Sequence, residues 1–188
     1  MLVMHMKSQK KIEVTALRLF AERGFTQTPT ALIAKEAGFS EPLIFKYYKS
    51  KDQLLEYLIK TGYRRITEQN RGMLTEEDPR ALIEKVIDLP YKLVEDERDF
   101  WRLQAQLMDK ELISKNYQKF IHPVFELLAK AFTRLGYSQP ELETYHLLLL
   151  IEGLWKKLIQ VPEQDHYLLE MKNYMKSKYN LAPMLSKP

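Results

Sequence analysis

The chain has 188 residues, 45% of them hydrophobic and 29% charged, with no cysteine and a net charge of +4. That length can bury a core and fits one small domain plus a larger one, while the lack of cysteine excludes disulfides, thiolate chemistry and cysteine-ligated zinc. The basic excess is amino-terminal: residues 1–71 hold 13 Lys/Arg against 7 Asp/Glu, and residues 72–188 hold 16 against 18, an asymmetry that suits an amino-terminal module meeting a polyanion.

Met1-Leu2-Val3-Met4-His5-Met6-Lys7 has no charged region ahead of its apolar residues and no small-residue cleavage site, so it does not read as a signal peptide. The longest apolar run, Leu147 to Ile151, falls well short of the roughly 20 residues that span a bilayer. A cytoplasmic protein without a membrane partner is expected. No segment shows the sustained alternation of a half-buried strand, so the fold class is all-α.

A first helix over about Lys7 to Glu22 aligns Ile12, Ala16, Leu19 and Phe20 on one stripe and stops at Gly24, a natural left-handed cap. Thr28 followed by Pro29 reads as N-cap and first helical position of a second helix that runs to Ala37 and ends at Gly38. Ser40 caps a short third helix through Tyr48, and Ser50-Lys51-Asp52-Gln53 is a capping-box pattern opening a long fourth helix, about Lys51 to Met73. Thr75-Glu76-Glu77-Asp78-Pro79 is the clearest break in the chain. Further helices are expected near 79–96, 99–113, 116–135, 140–160 and 163–179. The implied division is a helix-turn-helix domain over 1–50, a connecting helix over 51–73 and a larger helical domain over 74–188.

Two short helices joined by a tight, glycine-containing turn form the helix-turn-helix pattern, in which the second helix enters the major groove. At about 100° per residue, Ile44 and Tyr48 fall on one side of the third helix, and Pro42, Leu43, Lys46 and Tyr47 on the other. Ile44 then faces Ile33 and Phe39 and leaves the opposite side for DNA. From about Ile12 to Leu55 the chain resembles the amino-terminal domain of the TetR family of transcriptional regulators. The matching elements are Ile12, Ala16, Phe20, Gly24-Phe25, Thr28, Ile33-Ala34, Ala37-Gly38-Phe39-Ser40, Ile44-Phe45-Lys46-Tyr47-Tyr48 and Lys49-Ser50-Lys51-Asp52-Gln53-Leu54. Phe45 where the family often has tyrosine, Pro42 in place of a small residue, and Thr30 with Leu32 are departures that blur the contact map.

The resemblance implies that Thr28, Lys46, Tyr47 and Lys51 contact phosphates. Helix amino termini at Thr28 and Lys51, and a charge and a hydroxyl on the free face at Lys46 and Tyr47, agree with it. Ser40, Glu41, Pro42 and Leu43 lie at the start of the recognition helix, where base edges are read; Glu41 can accept from a cytosine amine, and Pro42 and Leu43 can touch a thymine methyl. Packing is the expected role of Phe39 and Tyr48.

Nothing after residue 72 carries a specific motif, and there the resemblance implies a helical domain that binds a small molecule. Trp101, Gln104, Met108, Tyr117 and His122 are the candidates for its pocket wall, being aromatic or apolar with a few polar tips. Leu147, Leu148, Ile151, Leu154, Trp155 and Leu158 make a broad apolar surface on the helix at 140–160, which with the helix at 163–179 is expected to form a four-helix homodimer interface. The four histidines are scattered, and no His-x-x-x-His, Gly-x-Ser-x-Gly or phosphate-cradling loop exists. His146 with Glu143 or Glu152 is the best metal candidate, and a partly buried, hydrogen-bonded histidine the better reading of it. The expectation is a non-enzymatic regulator with no cofactor and no metal: a homodimer on a partly palindromic double-stranded operator, acting as a repressor released by a small, mostly apolar effector. A helical adaptor protein that does not bind DNA is the alternative.

Overall fold

The computed structural model describes residues 2–161 and 166–181. Among the described residues the regular structure is all helical. The elements are α1 (Leu2–Arg23), α2 (Thr30–Ala37), α3 (Glu41–Tyr48), α4 (Lys51–Gln69), α5 (Arg71–Leu74), α6 (Pro79–Gln106), α7 (Glu111–Arg134), α8 (Pro140–Gln160) and α9 (His166–Lys178). The expected helix start at residue 163 lies outside the described residues.

Helix ends follow local chemistry where glycine is involved. Gly24 adopts φ +83° and Gly38 φ +74°, the left-handed conformation that lets the chain leave a helix without a β-carbon clash. At Gly38 its amide donates to the Lys35 carbonyl and the Phe39 amide to Ala34, which closes α2 and aims the chain at α3. The amino-terminal caps depart from expectation. Helix α2 begins at Thr30 with Pro29 as its N-cap, and Ser40 precedes α3 without a side-chain capping bond. The capping pattern at Ser50 is realised, its Oγ accepting from the Gln53 amide at 3.1 Å.

The fourth helix is shorter than its periodicity suggested. It stops at Gln69, and Asn70, at φ −112° and ψ 22°, separates it from α5. The Asn70 side chain competes for the helix's own acceptors, its Nδ2 donating to the Ile66 carbonyl at 2.8 Å. The helices expected at 79–96 and 99–113 are both present within α6, divided at Glu97, whose φ −137° and ψ 36° are not helical, and the second ends earlier than expected, at Gln106.

The chain forms two compact units, one from Met1–Arg65 and Asp99–Tyr117, the other from Ile66–Arg98 and Gln118–Pro188. In the first, α1 packs on α2 and α2 on α3, with Ile12, Ala16, Leu19, Phe20, Ile33 and Ile44 fully buried. Segment 99–117 belongs to this unit: Gln106 donates to the Ala21 carbonyl at 2.9 Å, and the Lys110 ammonium lies 5.0 Å from the centre of the Phe25 ring. The second unit is built on Ile83, Val86, Ile87, Val124, Leu128, Phe132, Leu147, Ile151 and Leu154.

That core corrects the expected dimer surface. Leu147, Ile151 and Leu154 are buried within their own chain, Leu148 and Leu158 pack against the same cluster, and Trp155 is buried. Helix α8 is apolar on more than one side, and its other side is the exposed one, carrying Leu142, Tyr145 and Leu149 at 63%, 59% and 51% exposure. Helix α9 likewise exposes Tyr167, Met171 and Tyr174.

Candidate nucleic-acid interface

Helix α3 is anchored by one face and presents the other. Ile44 is fully buried, and Tyr48 is buried with its hydroxyl donating to Glu13 Oε1 at 2.8 Å. Burial, and then that bond, push the Tyr48 phenol well above its ordinary value, so it remains a donor and keeps the buried carboxylate satisfied. Ser40, Pro42, Phe45 and Lys46 are exposed, as is Lys49 just beyond. Phe45 therefore stands on the open face, and Phe39 is half-buried.

The other expected contact residues fall into distinct settings. Glu41 and Leu43 are half-buried at the helix start, and Glu41 Oε1 accepts from the Thr30 hydroxyl at 2.5 Å, which ties the first turn of α3 to the first turn of α2. Tyr47 is half-buried with its hydroxyl 2.9 Å from Ser8 Oγ of α1. Lys51 turns towards its own chain: its Nζ donates to the Phe25 carbonyl at 2.9 Å and lies 4.4 Å from the centre of the Phe25 ring. Thr28 departs furthest from expectation. It is fully buried, and its hydroxyl donates to the Gly24 carbonyl at 2.8 Å, with the Leu19 carbonyl at 3.3 Å. Its side chain locks the turn between α1 and α2 and cannot reach a phosphate.

Sequence reasoning passed over a basic contribution from α1. Lys7, Lys10 and Lys11 are exposed, and Lys11 Nζ lies 5.7 Å from the centre of the Phe39 ring in the turn before α3. Helical periodicity places positions 7, 10 and 11 on one side of a helix, the signal that identifies them. The neighbouring carboxylates are largely occupied: Glu13 is buried under Tyr48, Glu41 is bonded by Thr30, and Glu36 pairs with Arg18 at 3.0 Å. The surface left around α3 is cationic and suited to phosphate.

Four of the five candidate effector residues fall in one unit. Trp101 and Gln104 are buried in the amino-terminal unit, which also contains Met108 and Tyr117, while His122 belongs to the other unit and is exposed. The stripe of Val124, Leu128 and Ala131 takes the core side of α7 and turns position 122 to solvent. His146 is also exposed; the Lys178 ammonium sits 2.9 Å from its Nδ1 and 2.7 Å from Glu143 Oε1, where a cation would bind. Among the described residues no group of three potential ligands could hold a metal ion, and no helix is long and apolar enough to cross a membrane.

Residues 12–58 match the family described as bacterial regulatory proteins, tetR family. The HTH-type transcriptional regulator YdgC of Bacillus subtilis is 23% identical over 159 residues, covering 82% of this chain and 80% of the relative. A transcriptional regulator from Saccharomonospora viridis, solved in complex with choline, shares the fold with a TM-score of 0.78 at 19% identity over 93% of this chain and 96% of that one. The regulator FadR of Bacillus subtilis, solved in complex with stearoyl-CoA, has a TM-score of 0.69 at 19% identity over 90% and 96% of the two chains. An anchored recognition helix in a cationic surface thus lies within the segment that matches the tetR family of bacterial regulatory proteins, and the relative similar over most of the chain is a transcriptional regulator.

Proposed function

We propose that this chain is a ligand-responsive repressor that binds a partly palindromic operator as a homodimer. The observation that carries the reading is α3 itself, held from behind by Ile44 and the Tyr48–Glu13 bond and bare in front at Ser40, Pro42, Phe45 and Lys46. A duplex with two-fold symmetry offers two equivalent major-groove faces, and two copies of such a helix are needed to read both. In this reading Lys46, Tyr47 and Lys51, joined by Lys7 and Lys11, position the protein on phosphates, while Ser40, Glu41, Pro42 and Leu43 read bases. In this reading residues 1–50 bind DNA, α4 is the connecting helix, the unit built on α7 and α8 serves effector and dimer, and the protein works in the cytoplasm beside the DNA.

Pairing of two chains uses the exposed sides of α8 and α9, where Leu142, Tyr145 and Leu149 on the one and Tyr167 and Tyr174 on the other are exposed at helical spacing. Two regulators of this fold were solved with choline and with stearoyl-CoA, which supports a small-molecule effector that releases the operator here. An electrophoretic shift with DNA flanking the protein's own gene, combined with light scattering, tests the reading. The expected result is a salt-sensitive, sequence-preferring complex of two chains. A stable monomer at micromolar concentration, or uniform affinity for all duplexes, would overturn it.

A further inference from the structure

Two grooves of the second unit meet at the break between α4 and α5. The larger, about 320 Å³, is bounded by Asn70, Met73, Lys85, Asp88, Leu89 and Lys92. The smaller, about 50 Å³, shares Asn70, Met73 and Leu89 with it and is otherwise mostly apolar, walled by Ile66, Phe120 and Val124. The Asn70 interruption of the helix therefore stands on the wall that the two grooves share, with Met73 and Leu89.

The charges of the larger groove are unequally satisfied. Lys85 pairs with Glu76. Asp88, the carboxylate that would repel an anion, is held by Lys172 and Lys176, each at 2.9 Å. Lys92 is exposed, and among the described residues its ammonium meets only the neutral Asn70 Oδ1, at 3.3 Å. A cation with no carboxylate partner among the described residues, in a groove that shares Met73 and Leu89 with the apolar one, selects for a negative head on an aliphatic chain.

We propose that these grooves together form the effector site and take an amphipathic anion, a single-chain aliphatic carboxylate whose head sits at Lys92 and whose chain lies along Met73, Leu89, Phe120 and Val124. This rests on the small-molecule reading above and deepens it by naming the ligand class. The site differs from the cluster of Trp101, Gln104, Met108 and Tyr117, which lies in the other unit.

The test is calorimetric titration of the full chain, without DNA, with decanoate, decanol and decyltrimethylammonium below their micellar concentrations. Decanoate should bind tightest, about fivefold better than decanol, the size expected for one solvent-exposed ion pair. Lys92→Gln should abolish that difference and leave decanol affinity unchanged, and Leu89→Asn should weaken both, with thermal midpoints confirming that each variant is folded. Equal binding of the three compounds, preference for the cation, no binding at all, or a decanoate preference that survives Lys92→Gln would each overturn the assignment. Because the titration contains no DNA, its failure leaves the operator reading standing, and a protein that bound no operator would still report on this site.

Discussion

Phe100 lies so close to Gly62 that a β-carbon on the glycine would sit 2.2 Å from Phe100 Cε2. The ring is held there by neighbours in edge-on contact, Tyr63 at 5.1 Å and Trp101 at 5.4 Å between centroids. Alanine forms helix better than glycine by about 1 kcal/mol, yet at this position the overpacking term of about 1–3 kcal/mol wins. Gly62→Ala should therefore lower the urea midpoint. Gly72, with nothing within 4 Å of its virtual β-carbon, is the control, and Gly72→Ala should be neutral or slightly stabilising. Equal shifts for the two would show that the Phe100 ring has room to move.

The setting of Thr28 separates a folding role from a DNA role. Thr28→Val removes the donor to the Gly24 carbonyl and should cost about 1–3 kcal/mol of stability while leaving the salt dependence of operator affinity unchanged. Lys46→Ala and Lys11→Ala should do the reverse, each reducing the log-log salt slope by about one unit with base preference intact. Affinity measured across a salt series, beside denaturation curves, distinguishes the two classes. A Thr28→Val protein of normal stability with a flattened salt slope would restore its phosphate contact.

Base preference should depend on a pair of side chains. Glu41 is oriented by the Thr30 hydroxyl, so Thr30→Val should shift operator selection in the same direction as Glu41→Ala, though less. Selection from a randomised duplex pool reads this out. Unchanged preference in both variants would remove Glu41 from base reading.

The two sides of α8 make opposite predictions. Leu149, about half exposed, should tolerate glutamate without loss of fold, and Leu149→Glu should shift light scattering from two chain masses to one. Leu147, fully buried, should cost about 2–5 kcal/mol on truncation to alanine. Dimerisation that survived Leu149→Glu and Tyr174→Glu together would place the interface elsewhere.

Acid should loosen the second unit. Burial opposes ionisation of Asp88, but bonds from Lys176 and Lys172 prevail and hold its carboxyl below the ordinary 3.8. Glu143, likewise resisted by burial, is held below 4.5 by Lys178, Tyr179 and His146. A depressed folded pKa contributes stability that is fully present above the unfolded value and disappears as pH falls through the folded one. The thermal midpoint should thus fall below about pH 5, and Asp88→Asn with Glu143→Gln should flatten that fall. The partner Lys176 has the opposite sign. Burial lowers its pKa, but bonds to Asp88 and Glu84 outweigh this and raise it above 10.5, so its contribution is lost only as pH rises beyond that value. An acid limb as steep in the double variant as in the parent would assign the titration to other carboxylates.

The sequence alone determined the all-helical class, the stops at Gly24 and Gly38, and the recognition helix with Ile44 and Tyr48 inward. These features rest on interactions within one or two turns, where side-chain period and backbone freedom act directly. Tertiary structure decided the rest. Thr28 carries a hydroxyl that suits an N-cap or a phosphate equally, and the carbonyls of Leu19 and Gly24, brought close by folding, claimed it. Helix α8 is apolar on more than one side, so periodicity could not say which side its own chain would bury and which it would leave exposed; the α6–α7 core chose Leu147 and Ile151. Segment 99–117 joins the amino-terminal unit through Gln106 and Lys110, contacts about 85 residues away from their targets, and no local pattern encodes a pairing at that distance.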